Sequence, residues 1–255
     1  MEKSITIFGV SLEKQTKVCI LEQFEAYLDG LEQKIVVTPN PEMLLLAREN
    51  KKFRDVLNNA AIKLIDGFGL VLAALLFYGK KFERYPGVEA VKDIITIAVR
   101  KNKKVYLLGG NDVVLERLIY IWSREFPTLQ IMGAVGPRIM LDKNNKNGFL
   151  VDEYVNKKVI QLVQDFSPDV LLAGFGHGKQ ELWLSAMLPN FSSVRLAMGV
   201  GGSFDYLSGL ISRAPYWMRK IGMEWLYRLA HEPRRIKRIF NAVVLFPFNL
   251  IKEKL

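Results

Sequence analysis

Short apolar runs alternate with amphipathic stretches along most of the chain. The runs predict buried strands at residues 5–10, 35–38, 62–65, 104–108, 130–135, 169–173 and 194–200. Between them, apolar residues recur at helical spacing, as at Leu115, Leu118, Ile119 and Trp122. About seven alternations of strand and helix predict an α/β fold with a mostly parallel sheet that helices cover on both faces.

Two later stretches depart from this alternation. Residues 136–148 are rich in Asn, Lys and Gly and predict a long, mobile loop. Towards the end, Trp217, Ile221, Trp225 and Leu229 recur every four residues, which predicts one helix that Pro233 stops. We therefore divide the chain into an α/β core at residues 1–212 and a helical appendage at residues 213–255.

Polar side chains follow two of the predicted strands. Thr38 and Asn40 follow residues 35–37, and Asp66 follows residues 62–65. In open α/β sheets, ligands bind in the crevice outside the carboxyl ends of the strands. Asn40 before Pro41 also reads as a helix N-cap followed by an N1 proline. Asp66 reads either as a turn aspartate or as a catalytic carboxylate, and spacing alone does not choose between them.

Three strand exits are rich in glycine: Gly109-Gly110, the loop at residues 174–178, and the loop at residues 199–202. Each leads into a predicted helix, whose first backbone N–H groups can bind an anion such as a nucleotide diphosphate. The alternative is that glycine only allows close helix packing there. A tight dinucleotide glycine fingerprint and an acidic ribose partner after the first strand are both missing, which argues against a dinucleotide oxidoreductase. The Walker lysine spacing of P-loop proteins is missing as well.

Composition limits the cellular compartment and the ligands that we expect for the protein. The single cysteine, Cys19, excludes an intrachain disulfide, and we expect a protein of the reducing cytoplasm. The longest apolar runs, residues 70–78 and 243–251, are shorter than the ~20 residues of a spanning helix. Only two histidines occur and no Asp-x-Asp pair, so we expect no bound metal.

Positive charge is concentrated in the tail. The net charge is +10, and residues 213–255 hold ten basic and three acidic residues, which gives +7 there. After Pro233, basic residues border an apolar stripe of Ile236, Ile239, Phe240 and Val243. This pattern favours a helix lying on an anionic membrane surface over a nucleic-acid partner, while a packed helix with a solvated basic face remains the alternative.

A set of motifs, in order and over nearly the whole chain, resembles the WecG/TagA/CpsF glycosyltransferases. The motifs are residues 38–42, 66–69, 107–110, 180–181, 199–205, 213–215, 224–229 and 232–235. The resemblance implies a Rossmann-like fold and an inverting, metal-independent transfer from a UDP-sugar to a sugar on undecaprenyl diphosphate. N-acetylmannosamine is the expected sugar, in teichoic acid or surface polysaccharide synthesis.

The resemblance also implies roles for individual residues. Asp66 would be the general base, and Thr38, the other residue of the catalytic set, would orient the sugars together with Asn40. Four arginines would meet the diphosphate or the membrane. The residues expected to bind substrate are Asn40, Arg84, Gln180, Gly109, Gly199, Gly201, Gly202 and Asp205. The four arginines are Arg213, Arg228, Arg234 and Arg235. Taken from the residues alone, Arg84 is a solvated loop charge and Gln180 a first-turn helix residue.

Some positions differ from the family pattern. Gly87-Val88-Glu89 stands where the family generally has Gly-x-Asp, and His177-Gly178 replaces a small residue and proline. These changes bear on donor and acceptor identity, so glucose, galactose or a uronic acid are alternative sugars. We expect a peripheral protein of the inner membrane face with no cofactor, either as a monomer or as a homo-oligomer. A nonenzymatic nucleotide-binding module that docks on membranes is the rival from another class.

Overall fold

Six parallel strands form the central sheet, in a computed structural model that describes residues 4–231 and 236–254. Their order across the sheet is β4-β3-β10-β9-β5-β6. The strands are β3 (Lys34–Val37), β4 (Ile62–Lys63), β5 (Val105–Gly109), β6 (Ile131–Ala134), β9 (Val170–Gly174) and β10 (Leu196–Gly199). This confirms the predicted α/β class and parallel sheet, although the strand before Asp66 is only two residues long.

Helices cover both faces of this sheet. They are α1 (Lys17–Asp29), α2 (Pro41–Glu49), α3 (Lys51–Asn59), α4 (Phe68–Tyr78), α5 (Gly87–Arg100), α6 (Asp112–Glu125), α7 (Glu153–Phe166), α8 (Lys179–Met187) and α9 (Ser203–Leu207). Successive residues of a strand point to opposite faces. In β5, Tyr106 and Leu108 enter one core while Val105 and Leu107 enter the other. Burial on both faces explains the continuous apolar strands in the sequence.

The first predicted strand, residues 5–10, is in fact part of a hairpin outside the main sheet. Strands β1 (Ser4–Ile7) and β2 (Val10–Glu13) pair antiparallel, with Ile7 opposite Val10. The two turn residues, Phe8 and Gly9, both have positive φ, at 49° and 77°. A two-residue turn of this kind matches the twist of the flanking strands and reverses the chain.

The stretch predicted as one long loop, residues 136–148, is also partly a hairpin. Strands β7 (Ile139–Leu141) and β8 (Phe149–Val151) pair antiparallel and leave only residues 142–148 as the turn. Ile139 and Phe149 are buried in the core, and this burial holds the hairpin against the domain. The Asn-rich composition is typical of the turn, but it gave no indication of the short strand on each side of it.

The C-terminal residues form two short helices and a longer helical segment. The short helices are α10 (Tyr216–Lys220) and α11 (Glu224–His231), and the longer segment comprises α12 (Ile236–Phe240), a π-helical turn (Asn241–Leu245) and α13 (Phe246–Lys254). The single helix predicted up to Pro233 is wrong, because the chain turns at Gly222, where φ is 78°.

The last helix is anchored in the core of the domain. Phe246 and Leu250 of α13 are buried in the same core as β1 and β2, and the Phe246 ring packs edge-on against Phe8. Arg48 of α2 also donates a hydrogen bond to Asn249. Among the described residues, every helix is too short or too polar to cross a bilayer.

Candidate active site

The carboxyl ends of β3, β4, β9 and β10 surround a polar cavity of about 340 Å³. The strand exits contribute Thr38, Asn40, Asp66, Gly174, Phe175, Gly176, Gly201 and Gly202, and the later chain contributes Asp205, Arg213, Glu224 and Arg228. Thr38, Asn40 and Asp66 from the strand ends thus share one cavity with Arg213 and Arg228 from the C-terminal part of the chain. Adjacent parallel strands bring them together, although they lie far apart in sequence.

Asp66 occupies the border of this cavity. Its side chain is 32% exposed, and one carboxylate oxygen lies 3.8 Å from Arg84 Nη2. The Gly87 backbone N–H at the start of α5 acts to lower the pKa of the carboxylate slightly. Burial nevertheless raises the pKa of Asp66, and the nearby guanidinium groups of Arg84 and Arg228 oppose this rise only in part. A carboxylate with increased proton affinity that still reaches solvent suits proton abstraction.

Thr38 and Asn40 lie on the loop that follows β3. Thr38 is almost fully buried in the cavity wall. The Asn40 side-chain oxygen accepts a hydrogen bond of 3.0 Å from the Met43 N–H, so it caps α2 as the sequence predicts. Since Asn40 also lines the cavity, its side-chain amide group can serve the helix and a ligand together.

Among the described residues, four arginines line the cavity, Arg84, Arg213, Arg228 and Arg238, and the first three share one feature. The Nε atoms of Arg84, Arg213 and Arg228 are buried, and none has a hydrogen-bond partner within the described parts of the chain. All three residues line the polar cavity. Buried donors without partners are costly, and the positive charge of these side chains along the cavity wall favours an anionic ligand. Desolvation also lowers the pKa of Arg213, which is consistent with a cation that lacks its counter-ion.

Glu224, which sequence reasoning did not single out, holds two of these arginines. Its carboxylate accepts a 3.1 Å hydrogen bond from Arg84 and a 3.0 Å bond from Arg228. Burial alone would raise the pKa of Glu224, but the two guanidinium groups outweigh it and lower the pKa. The sequence signals for Glu224 are its place in the motif at residues 224–229 and its i, i+4 spacing to Arg228, whereas Arg84 is 140 positions away.

Gln180 and Glu181 join two of the glycine loops. The Gln180 side-chain oxygen accepts from the Gly201 N–H at 2.9 Å, and its amide nitrogen donates to Glu181 at 2.8 Å. The other Glu181 oxygen accepts from the Gly178 N–H at 2.7 Å. Glu181 is fully buried, and this burial raises its pKa to about 7. The pair therefore fixes the loops after β9 and β10 relative to each other.

The predicted glycines fall into two groups. Gly201 and Gly202 line the cavity, together with Asp205 in the first turn of α9. Gly109 and Gly199 are buried behind it: a methyl group at Gly109 would lie 2.9 Å from the Phe175 ring, and one at Gly199 would lie 2.7 Å from Gln180. Their packing explains why glycine is required there, whereas their contact with substrate stays a prediction.

A second cluster connects the tail to the loop after β9. Arg238 of α12 donates to Glu42 at 2.8 Å and lies 2.9 Å from His177 Nδ1, while His177 Nε2 lies 3.5 Å from Glu42. If Arg238 donates to Nδ1, the imidazole proton is on Nε2 and faces the carboxylate. Arg234 and Arg235 lie outside the described residues, so their predicted contact with diphosphate or membrane stays a prediction.

An apolar groove of about 480 Å³ adjoins the polar cavity. Asn40, Asp66, Arg84, Glu224 and Arg228 border both spaces. The rest of the groove is lined mainly by α4, by the chain around Gly222, and by the segment from Ile239 to Pro247. Asp66 therefore lies between a polar, cationic cavity and an apolar groove. No group of three or more potential metal ligands occurs within residues 4–231 and 236–254.

Comparison with known proteins adds an independent observation. The sequence profile of the glycosyl transferase WecG/TagA/CpsF family matches residues 5–255. Proteins from Staphylococcus aureus strains MW2 and NCTC 8325 are 27% identical over 252 residues, which is 98% of this chain and 93% of each relative. Both are named N-acetylglucosaminyldiphosphoundecaprenol N-acetyl-beta-D-mannosaminyltransferase.

Proposed function

Because the chain belongs to the WecG/TagA/CpsF glycosyltransferase family, we propose that it moves N-acetylmannosamine from UDP to lipid-linked N-acetylglucosamine. The acceptor sugar would be attached to undecaprenyl diphosphate, as in the name of the S. aureus relatives. The reaction would invert the anomeric centre and proceed without a metal. Its product would enter teichoic acid or surface polysaccharide synthesis.

The observation that carries this proposal is the position of Asp66 between two unlike spaces. On one side, the glycine loops and the arginines offer N–H donors to a UDP diphosphate. On the other side, an apolar groove suits a lipid-linked acceptor. A carboxylate at this border is placed to meet the acceptor hydroxyl as it faces the donor sugar.

The chemistry follows from this placement. Asp66 takes the proton of the acceptor hydroxyl as the oxygen attacks the anomeric carbon, and the bond from that carbon to UDP breaks. Negative charge develops on the departing diphosphate, where Arg84, Arg213 and Arg228 stabilise it without a metal. Thr38 and Asn40 orient the two sugars. General-base catalysis of this kind contributes ~10²-fold to 10⁴-fold.

We place the enzyme on the cytoplasmic face of the membrane as a peripheral protein. The C-terminal segments expose large apolar side chains, among them Trp217, Ile221, Phe240, Phe248 and Ile251. They also hold most of the excess positive charge of the chain. Apolar side chains in the interface and basic residues near lipid phosphates would hold the site where a lipid-linked acceptor is available.

A donor panel tests the proposed activity. UDP-N-acetylmannosamine, UDP-N-acetylglucosamine, UDP-glucose, UDP-galactose and a UDP-uronic acid are each incubated with a lipid-linked N-acetylglucosamine diphosphate, in a chelator to remove free metal. We expect transfer from UDP-N-acetylmannosamine with release of UDP. Preferred transfer of another sugar would correct the donor, and absence of transfer from every donor would refute the proposed function.

A further inference from the structure

Most residues that line the apolar groove have no role in the proposed reaction at the two sugars. Its largest wall is α4, whose sequence is apolar on every side and so differs from an ordinary surface helix. Leu70, Ala73 and Ala74 face the core, while Leu72 and Leu76 line the groove. Leu76 is 67% exposed, which is unusual for leucine on a helix that begins beside a catalytic site.

The opposite wall comes from the end of the chain. Ile239, Ala242, Val243 and Phe246 line it, and Phe246 is itself fixed in the core. Trp225 of α11 also lines the groove. The walls are therefore held by buried neighbours, so the groove does not depend on a ligand to form.

The polar end of the groove limits what can occupy it. Asp66, Arg84 and Arg228 border that end, so an occupant must combine an apolar body with an anionic head close to the reacting carboxylate. Exposed Leu75, Val244 and Phe248 continue the apolar surface on α4 and the C-terminal helices. An amphiphile drawn from a membrane fits this arrangement, whereas a soluble apolar metabolite lacks the charged head.

We infer that the groove between α4 and the C-terminal helices binds the first isoprene units of the acceptor's polyprenyl chain. This inference rests on the proposed function for the identity of the acceptor. The chain would lie against Leu72, Leu76, Ala242 and Val243, with its diphosphate beside the arginines. The groove would then select polyprenyl acceptors and fix the sugar hydroxyl beside Asp66.

Filling the groove tests this assignment. Ala242→Phe adds a ring inside the groove without removing a core side chain, and Val244→Phe adds the same ring at an exposed neighbour that does not line the groove. Binding of geranylgeranyl diphosphate and of dodecyl phosphate is measured by the change in tryptophan fluorescence, to which Trp225 in the groove contributes. Displacing one isoprene unit lowers the affinity at least about tenfold. Ala242→Phe should therefore weaken the binding of geranylgeranyl diphosphate by that factor. Val244→Phe should weaken it by less than about twofold.

The outcomes separate the two proposals. Equal binding of geranylgeranyl diphosphate by wild type and Ala242→Phe would overturn the groove assignment, whatever the activity. Tighter binding of dodecyl phosphate would instead assign the groove to an acyl chain and also overturn it. In detergent micelles, Ala242→Phe should raise KM for a long polyprenyl acceptor about tenfold but leave KM for a methyl-diphosphate acceptor, which has no isoprene unit, unchanged. Equal increases in KM for both acceptors would contradict the inference. Retained polyprenyl binding without any transfer would refute only the proposed activity.

Discussion

Two carboxylates at the edge of the sheet differ in their surroundings and therefore in their expected roles. Asp66 reaches solvent and faces a cavity on each side. Glu181 is fully buried, and both of its oxygens accept hydrogen bonds within the protein. Glu181 thus acts as a positioning residue, because it holds the Gly178 turn and, through Gln180, the Gly201 loop.

The buried Glu181 predicts a defined pH dependence of stability. Its folded pKa is about 7, whereas an unfolded glutamate has a pKa of about 4.3. The folded state therefore binds more protons between these values, so this group lowers the free energy of unfolding as pH rises from about 4.3 to about 7. Glu181→Gln removes this contribution and, with one acceptor oxygen fewer, also leaves a donor unpaired at a cost of about 1–3 kcal/mol.

Urea unfolding of wild type and Glu181→Gln at about pH 5 and about pH 8 measures the difference. The destabilisation by Glu181→Gln should be larger at the lower pH, because wild type is then relieved of its buried charge. Glu125→Gln, at an exposed helix position, is the matched control and should change little at either pH. If Glu181→Gln lowered the free energy of unfolding equally at both pH values, the raised pKa of Glu181 would be contradicted.

Single residues were predictable where a local signal existed. The positions of Asp66 and Thr38 after strands were predictable because each follows an apolar run that ends in a turn, while their roles stay predictions. Glu224 was missed because its importance comes from Arg84, which approaches only after α11 packs on the core. The packing roles of Gly109 and Gly199 could not be predicted either. The side chains that pack against them, Phe175 and Gln180, come from other strand exits.

Among the elements, the turn between α10 and α11 controls the position of Glu224. Gly222 has φ of 78°, and a methyl group there would lie 2.3 Å from Phe68 Cγ of α4. Gly222→Ala therefore incurs about 1–2 kcal/mol of backbone strain and a further ~1–3 kcal/mol from overpacking. We expect lower thermal stability, and reduced transfer because Glu224 and its arginines shift.

Gly79→Ala is the control for this prediction. Gly79 also has positive φ, 62°, but a methyl group there meets nothing within 4 Å. Gly79→Ala should lose only the stability that the backbone strain costs, and it should retain sugar transfer. If both variants lost stability and activity equally, contact between the Gly222 turn and α4 would not be what positions Glu224.

Periodic patterns predicted the long elements and missed the tight turns. The parallel strands were found because burial on both faces makes each a continuous apolar run. The hairpins β1–β2 and β7–β8 were missed because their strands have only three or four residues, too few for a period to show. The break at Gly222 was hidden since the apolar residues continue at the same spacing through the turn.

For the whole molecule, the division into core and appendage at residue 213 stays a prediction. The last helix has two apolar faces: Phe246 and Leu250 enter the core, while Phe248 and Ile251 face outward. Removing residues 213–255 would therefore expose core surface as well as remove the proposed membrane contact. Outward-facing substitutions test membrane binding without this complication.

Phe248→Ser with Ile251→Ser should weaken binding to anionic vesicles by tenfold or more, because each buried side chain contributes about 1.5–3 kcal/mol. Phe248 is 63% exposed, so its replacement should leave thermal stability nearly unchanged. Leu162→Ser, at an exposed position of α7, is the control. Vesicle flotation measures the bound fraction; unchanged binding by the double variant would contradict a membrane role for α13.

In the proposed mechanism, the Asp66 carboxylate removes the acceptor proton in a site that also binds UDP. Asp66→Asn keeps the size of the side chain and removes the base, so sugar transfer should fall by ~10²-fold or more. Calorimetry should find UDP bound with an affinity close to that of wild type, because the arginines and glycine loops remain. Full turnover by Asp66→Asn, with UDP still bound, would contradict the account.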